Sequence, residues 1–474
     1  MILLAIALYF ASQLSTSRTS AAPISYTLKP EEVAVSSNLG AICSDGRTLT
    51  DILWSCLATI FACSWVSVHP NIPATTDSGI RIVFRRLELM FWAIIAPDVI
   101  IFWAMRQWFG ARTLGNLYRD YGWTKTHGYF MQMGGFTLYK NDQPRGTLTP
   151  DLFLKLIENG EINFPALTEK EIQDRSKGDA LSKGLAVGQT SWFVVQCIAR
   201  HIEGLNVTGL EITTAALAVF NATIYFFWWN KPLDVRCSVP VYLLEVPGPQ
   251  RTIKPSQRTA ICVSIFKGDI QPRPPSKSQQ KIVFFVPTKL MPEAVLWMMG
   301  CVFSDWHPTI WEKLIDMAGS GRAENIYPAP PRVATFYAHR PTSEEFASIG
   351  YTIPSVAALF GAIHCAGWTS IFPTPTEATL WRISAVYITG MPLGMLSVAF
   401  GFTVHDAAKS LGRLALARWA RRISITISAF LLLVGTPLYG MARMCFLFEA
   451  AIGLRHLSPG DLAVVEWAKF IPHI

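Results

Sequence analysis

YTIPSVAALFGAIHCAGWTSIF, residues 351–372, decides the fold class. The stretch runs 22 residues without an Asp, Glu, Lys or Arg. About 20 predominantly apolar residues suffice for a helix to cross the hydrocarbon core of a bilayer. Toward the C-terminus the pattern recurs at Ile383–Val404 and Ile423–Leu454, the latter long enough for an interfacial extension. Toward the N-terminus come Leu290–Phe303, short for a crossing, and Leu210–Trp229, closed by Asn230-Lys231-Pro232. Gln189–Ile202 follows, short and partly polar, then Leu87–Phe109, broken by Pro97. Ile52–Val68 ends the series at His69-Pro70-Asn71-Ile72-Pro73, a helix stop with two prolines. The expected fold class is an all-α polytopic membrane protein, with seven or eight transmembrane helices and sizeable extramembrane loops.

Composition agrees. Of 474 residues, 51% are hydrophobic and 16% charged, against about 25% charged in average soluble domains. The net charge of +8 sits largely in loops beside apolar stretches. Topology and anionic headgroups explain it there, and no nucleic-acid partner is needed. Residues 1–22 resemble a signal peptide, with an apolar core at Ile2–Phe10 and small residues at Ala21-Ala22, although a basic start is missing. A short first membrane helix is the alternative. Residues 23–110 then hold an N-terminal segment and the first two spans, 111–188 a polar region, and 189–230 the third and fourth spans. Residues 231–286 form a loop or small subdomain with β-like runs at Val241–Val246, Ala260–Phe266 and Ile282–Val286. Residues 287–474 hold the remaining spans and the tail. Within the polar region, Asp151–Glu158 reads as an amphipathic helix.

Among nine cysteines there is no CxxC pair. Cys56, Cys63, Cys197, Cys365 and Cys445 lie in apolar runs and read as small buried hydrophobes. Cys43, Cys237 and Cys262 lie outside them, which leaves room for one disulfide if they face an oxidising lumen.

Polar residues within apolar spans are the informative ones, because an ionisable group in a bilayer must be paired or face a cavity. Asp98 follows Pro97 at a helix break; it is a candidate proton donor, or else a carboxylate paired with an arginine. His364 lies deep in its span, as proton carrier or as a hydrogen-bonded strut. Glu377 and Arg382 open the seventh span, where a carboxylate also suits the helix dipole. His69 and Asn71 flank Pro70 on a rigid turn, able to bind a headgroup or simply to shape the turn. Trp103 beside Asp98 and Trp368 beside His364 offer aromatic walls for a ligand. Asp51 and Glu211 read as helix caps, and Trp228, Trp229 and Tyr225 as an interfacial belt. Arg443 and Glu449 are too far apart to pair along one helix face, and either can meet Asp98 or another helix. There is no Walker, Rossmann, nucleophile-elbow, HExxH, DDxxD or CxxCH pattern. No metal ligands are expected, and the sequence names no cofactor. The sequons at Asn206 and Asn221 fall in a short cytosolic turn and inside the bilayer, where glycosylation is not expected.

Several blocks together resemble a widespread group of fungal multi-pass membrane proteins. They include Gly46-Arg47-Thr48, Trp54-Ser55-Cys56, His69-Pro70-Asn71-Ile72-Pro73 and Trp123-Thr124-Lys125-Thr126-His127-Gly128. Met133-Gly134-Gly135-Phe136, Ser182-Lys183 and Gln189-Thr190-Ser191-Trp192-Phe193 continue the set. Trp228-Trp229-Asn230-Lys231-Pro232, Gly361-Ala362-Ile363-His364-Cys365 and the ending from Trp467 to Pro472-His473 complete it. The resemblance implies a multi-pass membrane protein, in some cases encoded beside secondary-metabolite genes. It brings no catalytic residues.

Three functions fit. An endomembrane enzyme acting on a lipophilic metabolite, a terpenoid or polyketide, would isomerise or cyclise it with an acid held among aromatic rings. A transporter or channel for a metabolite or ion would use helices broken at Pro97, Pro392 and Pro437. A non-catalytic scaffold would gather other membrane-bound pathway enzymes. The bilayer and a lipophilic small molecule are the expected partners, and the endoplasmic reticulum or another endomembrane the expected location.

Orientation follows from Asp406–Arg422, which carries Lys409, Arg413, Arg418, Arg421 and Arg422 against one acid. Short basic loops stay in the cytosol. Counting spans back from it places the Pro70–Arg86 loop on the same side, provided Leu290–Phe303 crosses. A reporter fused at Arg418 should therefore read cytosolic and one at 374–380 lumenal; the reverse at Arg418 would invert the molecule.

Overall fold

The computed structural model describes residues 46–177, 180–245 and 332–467. The expected signal segment, the runs at Ala260–Phe266 and Ile282–Val286, the short span Leu290–Phe303, Cys43 and Cys262 lie outside the described residues.

Capping chemistry opens the first helix. Thr48 Oγ1 accepts from the Asp51 backbone N–H while the Asp51 carboxylate accepts from Thr48 N–H, which starts α1 (Leu49–Ser67). Ser78 then caps α2 (Gly79–Ile95). Ala96 breaks the chain at φ −136° and ψ 59°, and Pro97 begins α3 (Pro97–Leu117). Proline fits here because its missing N–H and fixed φ cost nothing at a first helical position. The two helices meet at 113°. Arg86 of α2 donates to Trp65 O, and Gln107 of α3 donates to Asn71 Oδ1. Both arms therefore return to the end of the bundle where α1 stops. The stretch expected as one crossing span at Leu87–Phe109 is a hairpin that enters and leaves by the same end.

A small mixed layer sits at that end. It holds α4 (Lys125–Gln132), β1 (Phe136–Lys140), β2 (Gln143–Thr147), α5 (Pro150–Glu158) and α6 (Glu169–Asp174). Asn141 and Asp142, at φ 51° and 58°, make the tight turn between β1 and β2. After α7 (Ala180–Ile202) and α8 (Gly209–Phe227), β3 (Val239–Tyr242) returns to pair in parallel with β1, giving the order β2-β1-β3. The strand falls on the expected β-like run at residue 241, and α5 on the expected amphipathic helix. Trp123, Phe130, Phe136 and Phe153 fill the layer's own core.

The C-terminal part is a helical hairpin with a third arm. α9 (Ser343–His364) runs antiparallel to α10 (Pro375–Ser410), so that Tyr351 Oη meets Thr403 Oγ1 at one end and Trp381 Nε1 donates to His364 O at the other. α11 (Leu414–Phe430) continues through a π-helical turn, Leu431–Gly435, into α12 (Thr436–Ile452), and α13 (Pro459–Leu462) closes the described chain. The basic segment 406–422 therefore lies at the same end as the mixed layer and the 68–78 loop. Arg47, Glu211, Glu377 and Arg455 lie at the opposite end, where Arg47 pairs with Glu211 and Arg455 with Glu377.

Five helices are long and apolar enough to cross a membrane, or six when the bent pair counts as one. α7, expected as the third span, is not among them; its first half carries Ser182, Lys183 and Gln189. Exposed apolar stripes such as Val386, Leu393 and Phe400 on α10 suit a lipid surround. In lipid, helices gain little from the hydrophobic effect and pack through small residues. Gly361 does this on α9: a Cβ there would lie 2.5 Å from Thr389 N of α10. Gly128 of α4 does the same against the Ala111 backbone of α3.

Gly361→Ala and Gly128→Ala should each destabilise the protein by about 1–3 kcal/mol, because the obstructing atoms are backbone. Gly188 faces open space on α7, so Gly188→Ala should leave stability unchanged or raise it by about 0.5–1 kcal/mol. Thermal midpoints of the full chain in one detergent separate the two classes.

Candidate functional site

The helix break delivers Asp98 to the middle of the bundle. Asp98 stands in the first turn of α3, and Arg443 Nη1 of α12 donates to its Oδ2 at 2.7 Å. The Arg443 guanidinium lies 4.6 Å above the Phe360 ring of α9 and 5.4 Å from that of Phe220. Cation–π contact compensates part of the hydration that the cation gives up. Tyr439, one turn earlier on α12, has its ring 5.8 Å from the same guanidinium.

His364 shares the Phe360 wall. Its Nδ1 lies 2.8 Å from Phe360 O, and its ring stacks on Phe446 at 4.0 Å. A carbonyl only accepts, so Nδ1 carries the proton and the neutral ring leaves Nε2 as a bare acceptor. His364 Nε2, Asp98 Oδ1 and Tyr439 Oη are all buried without a hydrogen-bond partner. Three polar atoms able to receive or give a proton thus surround one arginine inside aromatic walls.

The other residues expected to act divide between the two ends. Glu377 does not pair with Arg382; it pairs with Arg455 beyond α12. Arg382 Nε donates to Trp368 O, its guanidinium lies over the exposed Trp368 ring, and both stand away from the centre. His69, Asn71 and Trp103 gather at the mixed-layer end around a lysine that the sequence reading took only as a helix stop. Lys231 Nζ donates to His69 O at 2.5 Å, Gln107 Oε1 at 2.9 Å and Asn71 Oδ1 at 3.1 Å. The Trp103 and Trp228 rings each lie 4.7 Å from Nζ. Burial lowers the Lys231 pKa well below that of an exposed lysine, while three oxygen acceptors and two ring faces favour the charged form. Burial likewise lowers His69 to about 3, which keeps it neutral. Asn71 Nδ2 donates on to Ala334 O and Thr335 O. The node therefore fastens α1, α3, α8 and the segment leading into α9, and all three Lys231 protons have an oxygen acceptor.

Sequence reasoning missed Lys231, Gln107 and Tyr439. Lys231 and Gln107 had a signal, as polar residues at the edge of or within apolar runs; Tyr439 had none, since tyrosine is common in membrane helices. Among the described residues no group of three His, Cys, Asp or Glu is placed to hold a metal ion.

Removing one partner of a buried ion pair costs about 3–5 kcal/mol. Asp98→Leu and Arg443→Met should each lower stability on that scale. The double variant, with no charge left, should recover at least part of it. Simple addition of the two losses, measured by thermal midpoint, would show that the residues do not support one another.

No curated protein and no solved structure matches the chain. Residues 115–245 and 351–474 match the family described as Family of unknown function (DUF8562), together more than half of the chain. The matched segments hold Lys231, His364, Glu377, Tyr439 and Arg443, while Asp98 precedes them. The chain belongs to this family of unknown function.

Proposed function

We propose that the protein is a membrane-embedded acid–base enzyme that shifts a proton within a lipophilic substrate, of the terpenoid or polyketide kind, in an endomembrane. The observation that carries this reading is the convergence of unpartnered His364 Nε2, Asp98 Oδ1 and Tyr439 Oη on Arg443. Buried polar groups are nearly always hydrogen-bonded, so unpaired ones at one place call for a ligand or water.

The groups suit isomerisation. His364 Nε2 takes a proton from an activated C–H of the substrate, and the released electron pair moves into an adjacent double bond. The Tyr439 hydroxyl gives a proton to the far end of the shifted system, and Arg443 stabilises the resulting phenolate. Proton return from His364 to Tyr439 closes the cycle without an oxidant or reductant. Asp98, as a paired carboxylate, accepts from Arg443 and fixes it in place; the ion pair leaves it poorly suited to donate. The aromatic rings favour a hydrophobic substrate and keep bulk water from the reacting atoms.

A transporter is the second reading, and the re-entrant hairpin favours it. Helices interrupted at mid-depth, with charged groups at the break, are a recurring way to build a transport site. Tyr439→Phe separates the readings, because it removes only the hydroxyl beside Arg443 and keeps the ring, and abundance measured alongside shows whether folding is kept. For an enzyme, product should fall on the order of 10²–10⁴-fold with precursor retained in the cell. For a transporter, product should form inside but not leave. Normal metabolites on both sides at normal abundance, for Tyr439→Phe and His364→Gln alike, would overturn both readings and leave a scaffold.

A further inference from the structure

Ten buried side-chain polar atoms lack a hydrogen-bond partner among the described residues, and five of them lie on or against α12 in two groups: Tyr439 Oη, Asp98 Oδ1 and His364 Nε2 about Arg443, and Glu449 Oε2 and Glu377 Oε2 about Arg455, with Phe446 between them. α12 sets the two groups in line. Tyr439, Arg443, Phe446 and Glu449 recur at helical spacing on its inner face, while Met441, Met444 and Phe448 face outward and are exposed. From Tyr439 to Glu449 the rise along the helix is about 15 Å. Glu449 is 4% exposed and has Glu377 and Arg455 as its charged neighbours. Arg455 pairs with Glu377 and holds a half-exposed side chain at the bundle end. The line thus begins at mid-depth and reaches the surface opposite the basic 406–422 segment.

A buried polar atom without a partner costs about 1–3 kcal/mol. Five along one helix face is a large cost for packing alone. A buried water typically makes about three hydrogen bonds to such atoms, and a polar, roomy site is what it requires. Toward the opposite end the arrangement differs. Lys231, Gln107 and Asn71 satisfy one another there, although His69 Nε2 lacks a partner; aromatic packing does not distinguish the ends, since Trp103 and Trp228 meet at 4.8 Å and Trp381 and Phe446 at 4.7 Å.

We propose that this line is a water-filled half-channel, which exchanges protons between the Asp98–Arg443–His364 centre and the compartment at the Glu377–Arg455 end only. Waters linking Tyr439, His364, Glu449 and Glu377 carry protons along hydrogen bonds, with Glu377 at the mouth and Glu449 the relay just inside it. The basic-segment side is sealed by the Lys231 node. The channel extends the acid–base reading but stands on its own atoms, so the two fail separately: metabolites test the centre, and access to water tests the channel.

The experiment is thiol labelling of the full chain in sealed vesicles of sorted orientation. A membrane-impermeant methanethiosulfonate is added from either side, and labelling of the parent chain is subtracted. A thiolate in water reacts and one in lipid does not, so Glu449→Cys should label from the Arg455 side at least about tenfold faster than Phe448→Cys, which faces outward on the next residue. It should come within about tenfold of His456→Cys at the surface, and remain unlabelled from the other side. Ala450→Cys, on the same inner face, gives the same reading if Glu449→Cys does not accumulate. Labelling of both inner positions no faster than Phe448→Cys would overturn the half-channel; labelling from both sides would overturn its closure at Lys231.

Discussion

Arg443 is a cation among aromatic rings, and Asp98 is the only carboxylate that the described residues bring to it. Almost every unusual choice in the bundle serves that meeting. The chain enters, breaks at Ala96-Pro97 and leaves by the way it came, which puts Asp98 at a helix start beside Arg443. The break gives Asp98 the first turn of a helix, where the backbone N–H groups favour negative charge. The returning arm then needs anchoring at its outer half, and the Lys231 node does this through Gln107 and Trp103.

Two ways of holding a buried cation thus occur in one molecule. Arg443 has a formal counter-charge and unpartnered polar atoms around it. Lys231 has no carboxylate at all, but every proton is used. A cation held by neutral oxygens and ring faces is costly to disturb, and offers little room for a ligand. A cation held by one ion pair beside unsatisfied acceptors can exchange partners. That difference is why the proposed chemistry is assigned to the centre and not to the node.

The helical, membrane-type character of the chain was legible because long uncharged runs have one physical reading in water. The capped starts of α1 and α8 were legible from Asp51 and Glu211, but the residue that opens α1 is Thr48, three positions before Asp51. The hairpin was not: Leu87–Phe109 is long and apolar enough for a crossing, and only the distant partners of Arg86 and Gln107 show that both arms lead to the same end. β3 pairs with β1 from about 100 residues away, and no local pattern gives a parallel partner at that distance. Asp98, His364 and Arg443 were visible as polar residues in apolar runs. The pairing of Asp98 with Arg443 was among the partners the sequence left open; that His364 and Tyr439 join it was not legible, because it depends on helix rotation and depth. Glu377 shows the limit most clearly, since its neighbour Arg382 lay nearer in sequence while Arg455, 78 residues on, became its partner.

α3 is one unbroken helix of 21 residues whose first turn holds Asp98. Its last turns are clamped in the mixed layer, where Gly115 abuts Thr124 and Ala111 abuts Gly128. A helix of that length is a stiff rod of about 30 Å. Any macromolecule that grips or tilts the layer outside the bundle therefore moves a handle whose other end is the carboxylate at Arg443. A tilt of a few degrees at the layer becomes a shift of about 1 Å at the buried tip, comparable to the margin within which hydrogen-bonded groups stay engaged.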